Sequence, residues 1–367
     1  MAEINDNIKK TPVAEEHIPT DEKLEAIQAE ATVPAGYITV ELSTKGLLYA
    51  PKKFHIRNFT TDDVMGLAIT DDEYLPFKVC ELLQKLVYED DVKIRDFHMK
   101  EVEETLFTLY TTFYSTTMKD IEYEPTKEDM DWLAEHNGGD ESETYRKIVR
   151  DLKNGKWKPK IMQLDLEQVK PFEIDEKSFK KRCKVKKPSG FSCAYEMPHY
   201  GDVLTLQEFA NETFKEKDKQ FAKIQKMLKF ENEAKEKWYA GEAVSIEAIP
   251  GVPDAEIKKF NDYQLEKSVF YMIAVRALHL VEYKGEDVSG LSLAKRFDLA
   301  RDPELDYGTF KKINDAFESV KVGLNTKVKI LNPITNQVGD YEQSFRLFTI
   351  LQALISNDPN GVVIEFE

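Results

Sequence analysis

Polar and apolar residues alternate with period two from Tyr37 to Leu42 and again from Phe54 to Phe59, which predicts two strands around the turn residues Ser43-Thr44-Lys45-Gly46. Thr60-Thr61-Asp62-Asp63 supplies a helix cap with acids in the first turn, so a short helix should follow. Thr70-Asp71-Asp72-Glu73 repeats that pattern ahead of Leu75, Val79, Leu82, Leu83, Leu86 and Val87, whose spacing is helical. The next helix is expected from near Asp96, with Val102, Leu106, Leu109, Tyr110 and Phe113 on its buried face. Residues 124–160 differ in character. Two weakly apolar helices, one around Trp132 and Leu133 and one through Tyr145, Ile148, Val149 and Leu152, flank the breaker Asn137-Gly138-Gly139-Asp140 and read as a helical insertion.

Strand patterning returns at Ile161–Leu166 and Phe172–Ile174. A hairpin is expected from Cys183–Lys186 through the turn Pro188-Ser189-Gly190 to Phe191–Met197. Leu204–Trp238 reads as a long charged helix with a thin apolar stripe, a pattern that packs on a neighbour along one edge. After the turn Pro250-Gly251-Val252-Pro253-Asp254 comes the most apolar helix, from Ile257 to Leu280. Asp306 precedes another helix through Phe310, Ile313 and Phe317. Val328–Leu331 reads as a strand, Asn332–Asn336 as a turn, 345–355 as an amphipathic segment and 362–366 as a closing strand. Strand, turn, strand and acid-led helix occur at both 37–69 and 183–210, an echo that a common local solution explains better than duplication does. The fold class expected is α+β: helix-rich, with small antiparallel hairpin sheets and a helical insertion. Four regions are anticipated, a tail 1–33, an N-terminal part 34–123, the insertion 124–160 and a C-terminal α+β region 161–367.

Composition narrows the function classes. Asp and Glu outnumber Lys and Arg by 67 to 51 in 367 residues, a formal net charge of −16, which works against general affinity for a phosphate backbone. Three cysteines cannot build a disulfide scaffold, and no apolar run reaches membrane-spanning length, so a soluble chain of a reducing compartment is expected. The start carries neither the basic region nor the apolar core of a secretion signal. Residues 1–33 hold eight acids, three lysines and no aromatic residue, a composition that does not bury enough apolar area to offset ordering entropy unless a partner helps.

Catalytic signatures are missing. There is no G-x-G-x-x-G, no phosphate-binding G-x-x-x-x-G-K-[ST], no G-x-S-x-G and no H-E-x-x-H, and the six histidines stand singly. No enzyme activity, cofactor or metal is therefore expected. Cys183 and Cys193 lie on the two arms of the expected hairpin, where two ordinary thiols outweigh a metal pair. Lys177, Lys180, Lys181, Arg182, Lys184, Lys186 and Lys187 form one basic island, which suits the solvated face of an edge strand, an acidic protein partner or, third, nucleic acid. Candidate partner-binding residues are Tyr49 beside the first turn, Lys181, Arg182, Lys184 and Lys186 on the island, and Tyr200 beside Gly201. Trp157 is a further aromatic candidate near the insertion.

Three blocks carry a resemblance. Leu42-Ser43-Thr44-Lys45-Gly46-Leu47-Leu48-Tyr49 followed by Phe59-Thr60-Thr61-Asp62-Asp63 resembles the opening of the T-even-type phage base-plate protein family, with Thr44 as an extra residue inside the Ser-Lys-Gly turn. The middle block, Phe172-Glu173-Ile174 with Lys187-Pro188-Ser189-Gly190 and Tyr195–Asp202, is similar to that family's Pro-Ser-Gly hairpin and Gly-Asp ending. Tyr307–Leu331 is similar to its late block, whose members often carry Cys-x-x-Cys knuckles at the next turn, whereas this chain has Asn332-Pro333-Ile334-Thr335-Asn336 there. The resemblance implies a structural or assembly protein of a contractile tail's base plate, present in the virion or in the host cytoplasm during assembly. Its partners would be other tail proteins or a second copy of itself. An assembly chaperone that leaves before maturation is the alternative it leaves open, and nucleic-acid binding through the 177–187 island is the alternative of another class.

Overall fold

In the computed structural model the residues described are 33–68, 74–123, 125–136, 143–154, 156–177, 179–228, 237–238, 242–246 and 248–342. Residues 1–32 of the tail, the cap at 70–73, the breaker at 137–140, the amphipathic segment 345–355 and the closing strand 362–366 lie outside them. Among the described residues there are nine α-helices and twelve short strands, all strand pairs antiparallel, which is an α+β fold.

The chain begins with the hairpin β1 (Tyr37–Val40) and β2 (Phe54–Arg57), in register Val40 to Phe54. Helix α1 (Thr61–Ala68) starts as the pattern predicts, with Thr60 and Asp63 bonding each other's backbone N–H. Then come α2 (Leu75–Leu86), a short 3₁₀ turn at Ile94–Asp96 and α3 (Met99–Phe113). Helix α3 starts three residues later than expected because His98 is its cap. The imidazole Nδ1 accepts from the Lys100 N–H, and the Glu101 side chain reaches back to the His98 N–H.

The insertion sits inside a hairpin that the periodicity did not reveal. Strand β3 (Thr117–Tyr123) pairs with β4 (Lys160–Asp165), and the two helices α4 (Lys127–His136) and α5 (Glu143–Lys153) lie between them in sequence. In β3 the sequence Thr-Met-Lys-Asp-Ile-Glu-Tyr lacks clean alternation, and the register shifts between Met118 and Ile121. β5 is only Lys170–Pro171. It pairs with β10 (Leu324–Asn325), and the expected strand at Phe172–Ile174 is not formed.

The expected hairpin is present as β6 (Arg182–Lys186) and β7 (Ser192–Glu196), with Gly190 at φ +87° in the turn. β8 (Leu280–Tyr283) and β9 (Glu286–Asp287) extend it to a four-stranded sheet in the order β6-β7-β8-β9. Sequence reading ran the preceding helix into β8. That helix, α7 (Asp254–His279), stops where Leu280-Val281-Glu282-Tyr283 begins to alternate. Cys183 faces Tyr195 and Cys193 faces Val185, so the two thiols are not cross-strand partners, and both are free. The long helix α6 (Tyr200–Leu228) packs against α7 with α8 (Leu293–Leu299), while α9 (Tyr307–Ser319), capped by Asp306, covers the four-stranded sheet. β11 (Lys327–Leu331) and β12 (Val338–Glu342) close the described chain.

Three apolar cores result. The first joins β1 to α3 with Leu164, Leu166, Tyr200, Leu204, Val328 and Ile330, so it draws on residues from both sides of the insertion. The second lies among α6, α7 and α8, and is rich in edge-to-face rings such as Phe214 on Phe270 (5.1 Å). The third lies between the four-stranded sheet and α9, and includes Leu48 of the first turn.

The cysteine-free turn after β11 is built by Asn332. Its side-chain oxygen accepts from the N–H groups of Ile334 and Thr335, and its amide donates to Tyr123 and to the buried Asp129 of α4. This one side chain shapes the turn and ties the insertion to the body. Asn332→Ala is expected to cost about 2 kcal/mol and to speed protease cleavage within 127–136, measured by limited digestion under native conditions.

Candidate functional site

The first block is held by two buried glutamates. Lys45 and Gly46, at φ 50° and 81°, turn the chain tightly after β1. Ser43 gives both its N–H and its hydroxyl to Glu104, each at 2.7 Å. Glu101 is 0% exposed, and its carboxylate accepts from the Thr44 hydroxyl (2.7 Å), the Ala50 N–H (3.1 Å), the His98 N–H (2.9 Å) and, at the limit of 3.5 Å, the Tyr49 N–H. A buried carboxylate is tolerable when its lone pairs are filled in this way. Burial pushes the Glu104 carboxyl above its ordinary pKa, with the Ser43 bonds pulling against the rise. Neither acid was anticipated. The available signal was the polar stripe Glu101, Glu104, Thr105, Thr108 beside the apolar positions Val102, Leu106, Leu109 and Tyr110.

Tyr49 then reaches the middle block. Its ring lies on His199, centroids 3.9 Å apart, with the Lys181 ammonium 4.5 Å from the ring centre on cation–π terms. Its hydroxyl donates to the Met197 carbonyl and lies 3.1 Å from Glu196, which also pairs with Lys181 at 3.5 Å. Burial first, and then the Glu196 charge, push the phenol well above its ordinary pKa, so it stays a donor. Of the expected site residues, Tyr49 and Lys181 are brought together, half-buried in a junction rather than projecting as free anchors.

Tyr200 does not project at all. It is 0% exposed in the first core, its N–H donates to Phe97 and its hydroxyl donates to the Pro76 carbonyl at 2.8 Å. The expectation of an exposed anchor is corrected here: the first turn of α6 is driven against α2 and the 3₁₀ turn at Ile94–Asp96, and its tyrosine is the plug. Gly201 allows that approach, because a Cβ there would sit 3.1 Å from the Arg95 carbonyl oxygen. Gly201→Ala is expected to lose about 1–3 kcal/mol despite alanine's better helix propensity, read from the denaturant midpoint. Asp202 completes the block, taking the His199 N–H (3.2 Å) and pairing with the buried Arg296 at 3.2 Å. Burial would raise this carboxyl, but the His199 hydrogen bond and the Arg296 charge outweigh it and hold it below the ordinary range.

The basic island lies on β6, the edge strand, with Arg182, Lys184 and Lys186 on its exposed face. Much of its charge is matched within the fold. Arg182 (3.0 Å) and Lys184 both meet Glu282 of β8, and Lys187 meets Asp306 at 2.7 Å. Lys186 makes no ion pair among the described residues. Lys177 and Lys180 make none either, so four of the island's seven cations are matched within the fold and three are left, which agrees with lysines that keep an edge strand from pairing. Trp157 is half-buried, and its indole N–H has no partner among the described residues.

All three blocks end at one place. The first is held by Glu101 and Glu104. The middle block bonds Phe97 through Tyr200 and abuts Arg95 through Gly201. Gly323 of the late block, at φ +86°, accepts from the Phe172 N–H (2.9 Å) and would bring a Cβ within 3.1 Å of the Lys100 side chain. The first turns of α3 and the segment before it thus serve as a common seat. Among the described residues no group of three His, Cys, Asp or Glu side chains is placed to hold a metal ion, and no helix is long and apolar enough to cross a membrane. No family model matches the chain, no curated protein matches it, and no solved structure matches its fold.

Proposed function

We propose that this protein is a structural or assembly component of a bacteriophage contractile-tail base plate, working by protein–protein binding without catalysis or a cofactor. The observation that carries the reading is the convergence of the three sequence blocks on residues 95–104. Blocks scattered over nearly 300 residues meet around one helix start and are suited to form one rigid scaffold unit, which supports the reading. The charged groups at the junction are consumed by structural bonds, which suits a rigid scaffold more than an acid–base site. The surface also offers contact features: Leu331 and Val338 face each other across β11–β12 at 63% and 71% exposure, and Lys186 is exposed on the edge strand.

Mass spectrometry of purified tails from the phage that encodes the chain tests the resident form of this reading. Stoichiometric presence is the expected result. Absence from tails together with recovery in complexes from infected cells would turn the reading to the assembly chaperone, and absence from both would remove it. The nucleic-acid alternative gains nothing from the ion-paired island.

A further inference from the structure

A cavity of about 360 Å³ lies between the start of α3, the end of α7 and α9, separate from the Tyr49 junction but sharing Met197 with it. Its walls include Phe172, Met197, Phe317 and Val322, and two imidazoles, His98 and His279, from segments 180 residues apart in sequence. That size is at the lower end for small-ligand sites, which combine apolar walls with a few placed polar atoms.

The hydrogen bonds fix the two imidazoles in opposite tautomers. His98 Nδ1 accepts from the Lys100 N–H at 3.2 Å, so in the neutral ring the proton is on Nε2. His279 Nδ1 lies 2.9 Å from the Glu196 carbonyl oxygen, which only accepts, so the proton is on Nδ1 and Nε2 is a bare acceptor. The bonds of both rings are made through Nδ1, neither Nε2 has a hydrogen-bond partner among the described residues, and both rings line the cavity. Burial is the main cause that holds both neutral, His98 down to about 3 and His279 to about 4, with the His279 charge adding to the depression of His98. Phe317 stacks on His279 at 5.8 Å and 15°, which keeps that ring's orientation. Of the charged lining residues, Lys100 is paired with Glu103 at 2.8 Å, which leaves Lys321 and Glu318, one of each sign, so the cavity favours neither an anion nor a cation.

One donor and one acceptor in an aromatic-walled cavity match a group that both accepts and donates. We propose that this cavity binds a neutral phenolic ring, its hydroxyl accepting from His98 Nε2–H and donating to His279 Nε2. A carboxylate would meet the bare nitrogen of His279 with its own lone pairs, and a plain hydrocarbon ring would leave both nitrogens unpaired. The proposal is independent of the base-plate reading, since it rests only on the tautomers and the cavity walls.

The test is a titration of the full chain, ¹⁵N-labelled at histidine, with p-cresol, toluene and 4-methylbenzoate. Saturable movement of the Nε2 resonances of His98 and His279 by p-cresol, with toluene and 4-methylbenzoate at least tenfold weaker, is expected. Equal binding of toluene, or no movement of either histidine at millimolar p-cresol, overturns the proposal. This comparison uses the unaltered protein and so does not depend on a variant folding. His98→Asn, which keeps a capping oxygen, and His279→Phe, which keeps the stack on Phe317, should each weaken p-cresol at least fivefold, with unchanged affinity in folded variants counting against the site. N-acetyltyrosinamide serves as the last arm. Tighter binding than p-cresol assigns the ring to a peptide, and weaker binding assigns it to a free phenol.

Discussion

Replacing Glu101 by alanine is expected to destabilise the protein by about 4 kcal/mol, the scale for stripping a buried charged group from its hydrogen-bonded partners. The side chain is fully buried and is the shared acceptor for Thr44, Ala50, His98 and, more weakly, Tyr49. Its removal leaves the Thr44 hydroxyl and backbone N–H groups in apolar surroundings and cancels half of the α3 cap. Glutamine keeps one acceptor oxygen but turns an NH₂ toward donors, so Glu101→Gln should recover only part of the loss. Denaturant unfolding of the two variants checks this. The order Ala worse than Gln, with both well below the parent, is expected. A loss under 1 kcal/mol for alanine would mean that the Ser43–Ala50 loop is held by something else.

Stability is also expected to fall as pH drops from about 6.5 to about 4. His279 is 8% exposed, packed between Phe310 and Phe317 at the end of α7. Burial is the main cause of its lowered pKa of about 4, opposed by the bond to the Glu196 carbonyl and by the Asp202 charge, and reinforced by Arg296. Across this window the unfolded chain takes a proton that the folded chain refuses. The unfolded state therefore binds more protons, and stability rises with pH there. A depression from 6.5 to about 4 corresponds to roughly 3 kcal/mol at the low end. His98, pushed to about 3 chiefly by burial, acts in the same direction. Asp202 and Asp306 are held below their ordinary values, so their contributions are present above the usual carboxylate range and are lost only at still lower pH. Urea midpoints at pH 7, 6, 5 and 4 should decline steadily, and His279→Phe should flatten much of that decline. A profile level from 7 to 5 would contradict the neutral buried histidines.

The elements that could be read from sequence were those whose pattern is set locally. The hairpin at 182–196 has its turn written in Pro188-Ser189-Gly190, and α1 has its cap written in Thr60 and Asp63. What escaped was set by distant partners. β3 lacks alternation because its register is imposed by β4 on the far side of two helices, and β8 is hidden at the end of an apolar helix. The site shows the same division. Tyr49 was picked out by its turn, and it does lie at a junction. Tyr200 was picked out on the same grounds and is a core plug, because nothing local says which way the first turn of α6 faces. Glu101 and Glu104 carry more of the architecture than any expected residue, yet a buried acid looks like a surface acid until its partner 50 or 60 residues away is known.

The basic island illustrates how charge reads differently in three dimensions. Seven cations in eleven residues suggested a docking patch, but Glu196, Glu282 and Asp306, each remote in sequence, answer four of them. Lys177, Lys180 and Lys186 are the three left without an ion pair among the described residues, less than half of the island's charge, which moves the expected contacts toward shape and apolar features.

The most direct test of a binding role in the tail is a pull-down of the tagged full chain from phage-infected cells, beside a version lacking residues 1–33. Specific recovery of other tail proteins in fixed ratio with the full chain is expected, and weaker recovery by the shortened version would assign part of the contact to the acidic segment. Recovery of no tail protein by either version would contradict it.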